Sequence, residues 1–375
     1  MNDEQDRRYM ARAIELAGNG LYTTDPNPRV GCVIVKDNAV IGEGWHERAG
    51  GPHAEIVALQ QAAANAEGAT VYVTLEPCSH FGRTAPCADA LIGANVAKVM
   101  IAMMDPNPLV AGTGVEKLSE AGITVEHGLL EEEAGLLNPG FIKRMQQQLP
   151  YVRCKVAMSL DGRTAMASGE SQWITGEAAR RDVHLYRARS SAIMTGIGTV
   201  LADDPSLNAR LSAVNDPALG NFTDDDQPLR VIIDTQLRTS TDSKMLSLPG
   251  TTLIYSGSTN QQRITDLTQA GAEVVGVECD GEHINLEAVL HDLARREINE
   301  VMIEAGARLN GAALAKNLVD EFIFYIAPSL LGDQARGAFH LPDLTTMAQK
   351  HELELVETRQ IGDDWRIIAL QKYIK

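Results

Sequence analysis

At 375 residues, with 44% hydrophobic and 22% charged side chains, the chain has the composition of an ordinary folded protein and exceeds the size at which one core stops growing, so two domains are expected. A formal charge of −17 argues against a broad nucleic-acid footprint, which draws on clustered Lys and Arg, and is compatible with a small anionic substrate held by local arginines. No apolar run reaches the ~18 residues of a membrane span, and the acidic start Met1-Asn2-Asp3-Glu4 lacks the parts of a secretory signal, so no membrane association and a cytoplasmic location are expected.

In chain order, Met10, Ala13, Ile14 and Ala17 recur at helical spacing from Glu4 to Ala17, and Gly18 and Gly20 supply a stop. The turn-rich Thr24-Asp25-Pro26-Asn27-Pro28 follows. Val30 to Val35 reads as a strand entering the turn Lys36-Asp37-Asn38. A helix is expected from about His53 to Ala66, ahead of Gly68, then a buried strand from Val71 to Leu75. Pro77 suits the first turn of another helix, and Val99 to Met103 makes a third strand. The polar stretch Lys143 to Leu149, closed by Pro150, marks a boundary between domains at 1–146 and 150–375.

The second half alternates again. Strands are expected at Val152–Met158, Ala192–Thr195, Val231–Asp234, Thr252–Tyr255, Glu273–Val277, Val301–Glu304 and Phe322–Ala327, with helices at Gly176–Ala188 and Leu286–Arg295. That pattern calls for a mostly parallel sheet covered by helices, an α/β fold. Ser212 to Gln227, rich in Asn, Asp, Pro and Gly, reads as a loop.

Five cysteines are too sparse and odd in number for a disulfide framework and suit a reducing compartment. Cys32, Cys154 and Cys279 lie in or beside apolar runs and read as small buried hydrophobes. Cys78 and Cys87 differ, because His53-Ala54-Glu55 precedes them. One imidazole and two thiolates make three zinc ligands and leave a fourth position for water, the mark of a catalytic site. Cys78 at a helix start would meet free backbone N–H groups that favour its thiolate. Glu55 does not share a helix face with His53, which suits an acid/base beside the metal better than a fourth ligand.

The order His-x-Glu, then Pro-Cys and a second Cys, is the signature of the zinc nucleobase deaminases. Eight residues rather than two separate Cys78 from Cys87 here. His46 and His80 flank the ligand segments as candidate substrate contacts, Arg83 offers a guanidinium fork to a phosphate, and Asn27 offers an amide from a stiff turn. In the second half, Thr195-Gly196-Ile197-Gly198-Thr199 and Glu304-Ala305-Gly306-Ala307-Arg308 are strand-to-helix turns able to cradle a diphosphate, although the usual dinucleotide fingerprint lacks its third glycine. Arg187, Asp203, Asp204, Arg210 and Glu304 cluster near strand ends, where open α/β sheets bind ligands.

Pro26-Asn27-Pro28-Arg29-Val30-Gly31, His53-Ala54-Glu55, the run from Pro77 to Cys87 and Asp105-Pro106-Asn107-Pro108 together resemble the bifunctional riboflavin-biosynthesis deaminase/reductase family. The second half is similar to it through Ala157-Met158-Ser159-Leu160-Asp161-Gly162-Arg163, Ser171 to Gly176 and Gly198 to Pro205. The resemblance implies a cytidine-deaminase-like αβα layer domain followed by a dihydrofolate-reductase-like αβα domain. It further implies Zn2+ and NADPH as cofactors and a phosphorylated pyrimidine as substrate, whose 2-amino group is removed by zinc-activated water before its ribosyl group is reduced to ribityl.

By the same resemblance, Glu55 is catalytic, His53, Cys78 and Cys87 bind zinc, and Asn27, His46, His80 and Arg83 contact the deaminase substrate. Ser171, Arg187, Leu207, Arg210 and Glu304 would face the reductase substrate. Ala157, Trp173, Thr199, Asp203, Thr235, Gly306, Ala307, Arg308, Leu309, Asn310 and Gly311 would line the NADPH site. A homo-oligomer is expected. Two other classes share the zinc motif: a tRNA deaminase with an accessory domain, which the acidic charge disfavours, and a non-catalytic zinc module.

Overall fold

Short strands with apolar side chains at consecutive positions need both faces covered, and the computed structural model shows how this chain covers them. It describes residues 3–80, 85–108, 110–211, 219 and 222–372. Two compact units result, one built mainly from the chain up to Leu149 and the other mainly from Pro150 onward, with the short stretch 217–222 counted in the first.

The first unit runs α1 (Asp3–Gly18), β1 (Gly31–Lys36), β2 (Ala39–Trp45), α2 (Ala54–Ala62), β3 (Thr70–Leu75), α3 (Cys87–Gly93), β4 (Lys98–Met103), α4 (Thr113–Glu120), β5 (Thr124–His127), α5 (Glu131–Gly135) and α6 (Pro139–Gln147). Its sheet has the order β2-β1-β3-β4-β5, with β1 antiparallel to both neighbours and β3, β4 and β5 parallel. Cys32, Ile34, Val71, Val73, Val99 and Ile101 meet Ala54, Ala58 and Ala62 of α2, Leu91 of α3 and Leu118 of α4. The alternate residues Val33, Val35, Tyr72 and Met100 meet Met10, Ala13 and Leu16 of α1 on the opposite face. This period-2 division produces the αβα layers.

The α2 helix lies unusually close to the sheet. A Cβ on Gly42 would stand 2.3 Å from the carbonyl oxygen of Ala58, and one on Gly44 would stand 2.5 Å from that of Ala54. Glycine on β2 facing alanine on α2 therefore sets the depth of the helix that begins beside His53 and carries Glu55.

The second unit contains β6 (Tyr151–Ser159), β7 (Arg163–Ala165), α7 (Glu177–Arg189), β8 (Ala192–Gly196), α8 (Ile197–Asp203), β9 (Leu229–Ile233), β10 (Thr252–Ser256), α9 (Gln261–Gln269) and β11 (Ala272–Gly276). There follow a small hairpin, β12 (Cys279–Asp280) with β13 (His283–Ile284), then α10 (Leu286–Arg295), β14 (Glu300–Ile303), α11 (Ala307–Ala315), β15 (Glu321–Ala327), β16 (Arg336–Gly337), β17 (Leu353–Ile361) and β18 (Asp364–Gln371). Nine strands form the order β11-β10-β9-β8-β14-β6-β15-β18-β17, parallel except where β18 joins β15 and β17. Ala179, Val183 and Tyr186 of α7 cover one face over Ile193, Ile232, Met302 and Tyr325. On the other face, the Tyr255 hydroxyl of β10 donates to Asp292 of α10 over 2.7 Å.

Four expectations need correction. Pro77 does not open a helix: α3 starts at Cys87 after Pro86, and Pro77-Cys78 lies in the link after β3. The polar stretch 143–147 belongs to α6, whose apolar residues Phe141 and Ile142 pack on the core that holds α1. The β17–β18 hairpin lies where no strand is expected, because β17 is an edge strand whose residues are mostly exposed and so carry no clean alternation. Cys279 is exposed, since its two-residue strand stands on the surface rather than in a sheet core. Of the loop expected at 212–227, residues 212–218, 220 and 221 lie outside the described residues, and Asp224–Asp226 forms a short 3-10 turn.

Candidate functional site

In the first unit, three separate elements bring donors together. His53 is the N-cap of α2, Cys78 lies in the link after β3, and Cys87 opens α3. The Nδ1 of His53 is 3.2 Å from Cys87 Sγ and 3.6 Å from Cys78 Sγ. All three donor atoms lie within 4.8 Å of one another, as ligands of one tetrahedral ion must. Cys87 donates its backbone N–H to Cys78 Sγ at 3.3 Å, so Cys78 does meet a helix N-terminus, but that of α3. The hydrogen-bonding proton between the two sulfurs pulls the Cys78 thiol down and pushes the Cys87 thiol up, with burial adding to the rise at Cys87. A divalent cation would replace that proton and satisfy both sulfurs, so the donor set fits zinc.

Glu55 is the buried carboxyl beside this cluster, only 3% exposed. Burial lifts it to about 7, where it can both accept and release a proton near neutrality. His46 is equally buried, and burial lowers its pKa. Its Nδ1 lies 2.9 Å from the Pro52 carbonyl and its Nε2 lies 3.1 Å from Asn27 Nδ2. With Nδ1 donating to Pro52, Nε2 accepts from Asn27, which leaves the Asn27 carbonyl oxygen as that side chain's acceptor. The His46 ring stands edge-on to that of His53, with 5.4 Å between centroids. His80 is exposed, and Arg83 lies outside the described residues.

The second unit gathers charge at the C-terminal ends of adjacent parallel strands, around the point where β14 inserts between β8 and β6. Arg187 Nε donates to Glu304 Oε1 at 2.6 Å and its Nη2 to Oε2 at 3.0 Å, while Nη1 donates to the Asn208 carbonyl. Burial pushes the Glu304 carboxyl up, but the Arg187 and Lys155 charges outweigh it and hold the group at about 2. Thr195 donates its hydroxyl to the Glu304 carbonyl at 2.7 Å and so fixes the strand end. Lys155, 3.5 Å from Glu304 Oε2, is the member that sequence reasoning missed. It sits mid-strand on β6 with no motif signal, and only the β14–β6 pairing brings it here.

Arg210 is exposed, and its backbone N–H donates to His184 Nδ1 at 3.1 Å, which ties the 207–210 segment to α7. Leu207 turns its side chain into the core at 2% exposure, so a ligand would meet only its backbone. Trp173 is 70% exposed, with the Arg180 guanidinium 4.5 Å over its ring. Ala157 packs at the edge of the core, Ser171 and Thr199 are half-buried, and Asp203 is exposed. Thr235 follows β9, and its carbonyl accepts from Ser256. Gly306 is the N-cap of α11, where Asn310 donates to the Ala305 carbonyl; Ala307 and Leu309 are half-buried, Arg308 exposed and Gly311 buried. A Cβ on Gly196 would touch Leu309 at 3.8 Å, so the turns after β8 and β14 stand side by side.

Residues 3–103 match the cytidine and deoxycytidylate deaminase zinc-binding region, and residues 150–367 match the RibD C-terminal domain. The riboflavin biosynthesis protein RibD of Escherichia coli is 49% identical over 362 residues, covering 96% of this chain and 98% of the relative. This chain belongs to the RibD family. RibD of Haemophilus influenzae is likewise 49% identical, over 98% of both chains. The Acinetobacter baumannii RibD structure superposes with a TM-score of 0.89 at 48% identity over 99% of each chain. A Thermotoga maritima structure described as a diaminohydroxyphosphoribosylaminopyrimidine deaminase/5-amino-6-(5-phosphoribosylamino)uracil reductase gives 0.84 at 32% identity, also over 99% of each.

As a RibD, the chain is a bifunctional enzyme of riboflavin biosynthesis, a hydrolase and an oxidoreductase, with a zinc deaminase domain and an NADPH-dependent reductase domain. Among the described residues His53, Cys78 and Cys87 form the one His/Cys/acid cluster able to hold a metal, and no helix is long and apolar enough to cross a membrane.

Proposed function

We propose that residues 1–146 deaminate 2,5-diamino-6-(5-phosphoribosylamino)pyrimidin-4-one and that residues 150–375 then reduce the ribosyl group of 5-amino-6-(5-phosphoribosylamino)uracil to ribityl. The observation that carries the first step is the His53/Cys78/Cys87 donor cluster with the buried Glu55 beside it. Zinc held by those three side chains supplies Lewis acidity that readies water for attack at neutral pH. Glu55 takes the proton of the attacking water and passes it to the departing amine, which leaves as ammonia. Asn27, oriented through His46, accepts from the heterocycle edge, and His80 and Arg83 hold the polar and phosphate ends of the substrate.

In the second step NADPH supplies the hydride. Arg187, Lys155 and Glu304 grip the ribose hydroxyls and set its carbon against the nicotinamide, with Ser171, Arg210 and the Leu207 backbone completing the substrate side. The Gly306–Gly311 turn receives the diphosphate, and Ala157, Trp173, Thr199, Asp203 and Thr235 line the remainder. The enzyme works in the cytoplasm as a homo-oligomer on this small molecule and not on nucleic acid; light scattering of the purified chain tests the oligomer.

The decisive experiment incubates the purified chain with the diaminopyrimidine phosphate, with and without NADPH, following ammonia and nicotinamide absorbance separately. Ammonia is expected in both arms and NADPH oxidation only after it. NADPH oxidation with no ammonia released would overturn the order of steps.

A further inference from the structure

Glu76, the residue before Pro77-Cys78, is 5% exposed and forms no ion pair among the described residues. Its carboxylate instead accepts four backbone N–H groups. Oε2 accepts from Asp105 at 3.1 Å and Gly112 at 3.0 Å; Oε1 accepts from Gly114 at 2.8 Å and Val115 at 3.3 Å. Three of these donors are the N-cap and first-turn groups of α4, whose N-cap Gly112 provides no side-chain cap of its own. The side chain of the residue directly after β3 therefore caps a helix that lies beyond the matched zinc-binding region.

Two further contacts tie the same turn to the ligand segment. A Cβ on Gly114 would stand 2.1 Å from the Pro77 carbonyl oxygen, so only glycine lets α4 approach the backbone that carries Cys78. The Thr113 hydroxyl donates to the Val110 carbonyl at 2.6 Å, which leaves its oxygen to accept from Ser79 Oγ at 2.6 Å. Cys78 is thus bracketed by Glu76 and Pro77 before it and Ser79 after it, and all three are fastened to the first turn of α4.

We propose that Glu76 is a positioning residue of the metal centre. By docking the first turn of α4 onto Pro77–Ser79, it fixes the backbone from which Cys78 Sγ meets His53 and Cys87. The inference rests on the reading of Cys78 as a metal ligand. A carboxylate is needed rather than a neutral isostere, because an amide has one acceptor oxygen and would turn its NH2 toward two of the four donors.

The test uses the full chain loaded with Co2+, whose sulfur-to-cobalt charge-transfer and ligand-field bands report thiolate geometry independently of turnover. Metal affinity is read by competition with a chromophoric chelator. Glu76→Gln is expected to shift the cobalt bands and weaken metal binding at least tenfold, in a chain that still unfolds cooperatively and still reduces the deaminated substrate. Glu120→Gln, at the exposed far end of α4, is expected to change nothing. A folded Glu76→Gln chain with the parent spectrum and affinity overturns the inference. Should that variant fail to fold, Gly114→Ala, which pushes the α4 turn off Pro77 while keeping Glu76, must alter the bands, and unaltered bands there overturn it equally. Cys78→Ala run alongside separates the two levels: if the thiolate bands survive that change, the ligand reading itself falls, whatever Glu76 does.

Discussion

Asn138 pairs with both backbone groups of Arg29 across 109 residues of chain: its Oδ1 accepts the Arg29 N–H at 2.8 Å and its Nδ2 donates to the Arg29 carbonyl at 2.9 Å. Arg29 in turn donates from Nη1 to the Leu137 carbonyl at 2.6 Å. The side chain thus acts as a short piece of strand that holds the Pro26-Asn27-Pro28 turn to the start of α6. Asn138→Ala strands two buried backbone groups and is expected to cost about 2–3 kcal/mol. Urea unfolding checks the cost, and a raised KM for deamination with unchanged reductase kinetics checks the link to Asn27.

Glu55→Gln keeps the shape beside the metal ligands but removes the proton carrier. Deamination should fall by about 10²–10⁴-fold, while zinc content by atomic spectroscopy and reduction of supplied deaminated substrate stay at parent level. Retained ammonia release would remove Glu55 from the mechanism.

Gly44→Ala places a methyl group against Ala54 on α2 and forces that helix outward. Overpacking of this kind costs about 1–3 kcal/mol. The displaced helix start carries His53 and Glu55, so metal affinity and deamination should both drop, and the reductase rate measured on the same sample should not.

Arg187→Met leaves Glu304 buried with Lys155 alone. Stranding a buried charge costs about 3 kcal/mol, and reductase kcat/KM should collapse with deamination intact. Unchanged NADPH oxidation kinetics would show that the Arg187–Glu304 pair has no part in substrate binding.

The second unit also predicts a pH signature. Burial, with the charges of Arg187 and Arg210, holds His184 down at about 4 against an ordinary 6.5, Glu304 opposing them. Between pH 6.5 and 4 the unfolded chain therefore binds a proton that the folded chain refuses, and stability is lost as pH falls through that window. Glu304, at about 2 against 4.5, extends the loss to lower pH with the same sign. His184→Gln should flatten the upper part of the decline, read as the difference in melting temperature between variant and parent from pH 7 to 4. An identical decline in both would refute it.

What the sequence determined by itself was local and chemical. Short β-branched and apolar runs marked the central strands of both sheets, though not β2, β5, β17 or β18; helical spacing marked α1, α7 and α10, and a histidine, a glutamate and two cysteines in that order marked the zinc chemistry, because residue type and side-chain period are short-range properties. Tertiary structure alone decided which distant residues share a site. It set Cys78 in a link, with the N–H that reaches its sulfur coming from Cys87, and it carried Lys155 to Glu304 through the pairing of β6 with β14. It likewise brought Asn138 to Arg29 and four amides to Glu76. Those contacts follow from strand order and from how closely glycine and alanine let helices approach a sheet, and neither quantity is written in any one stretch of the chain.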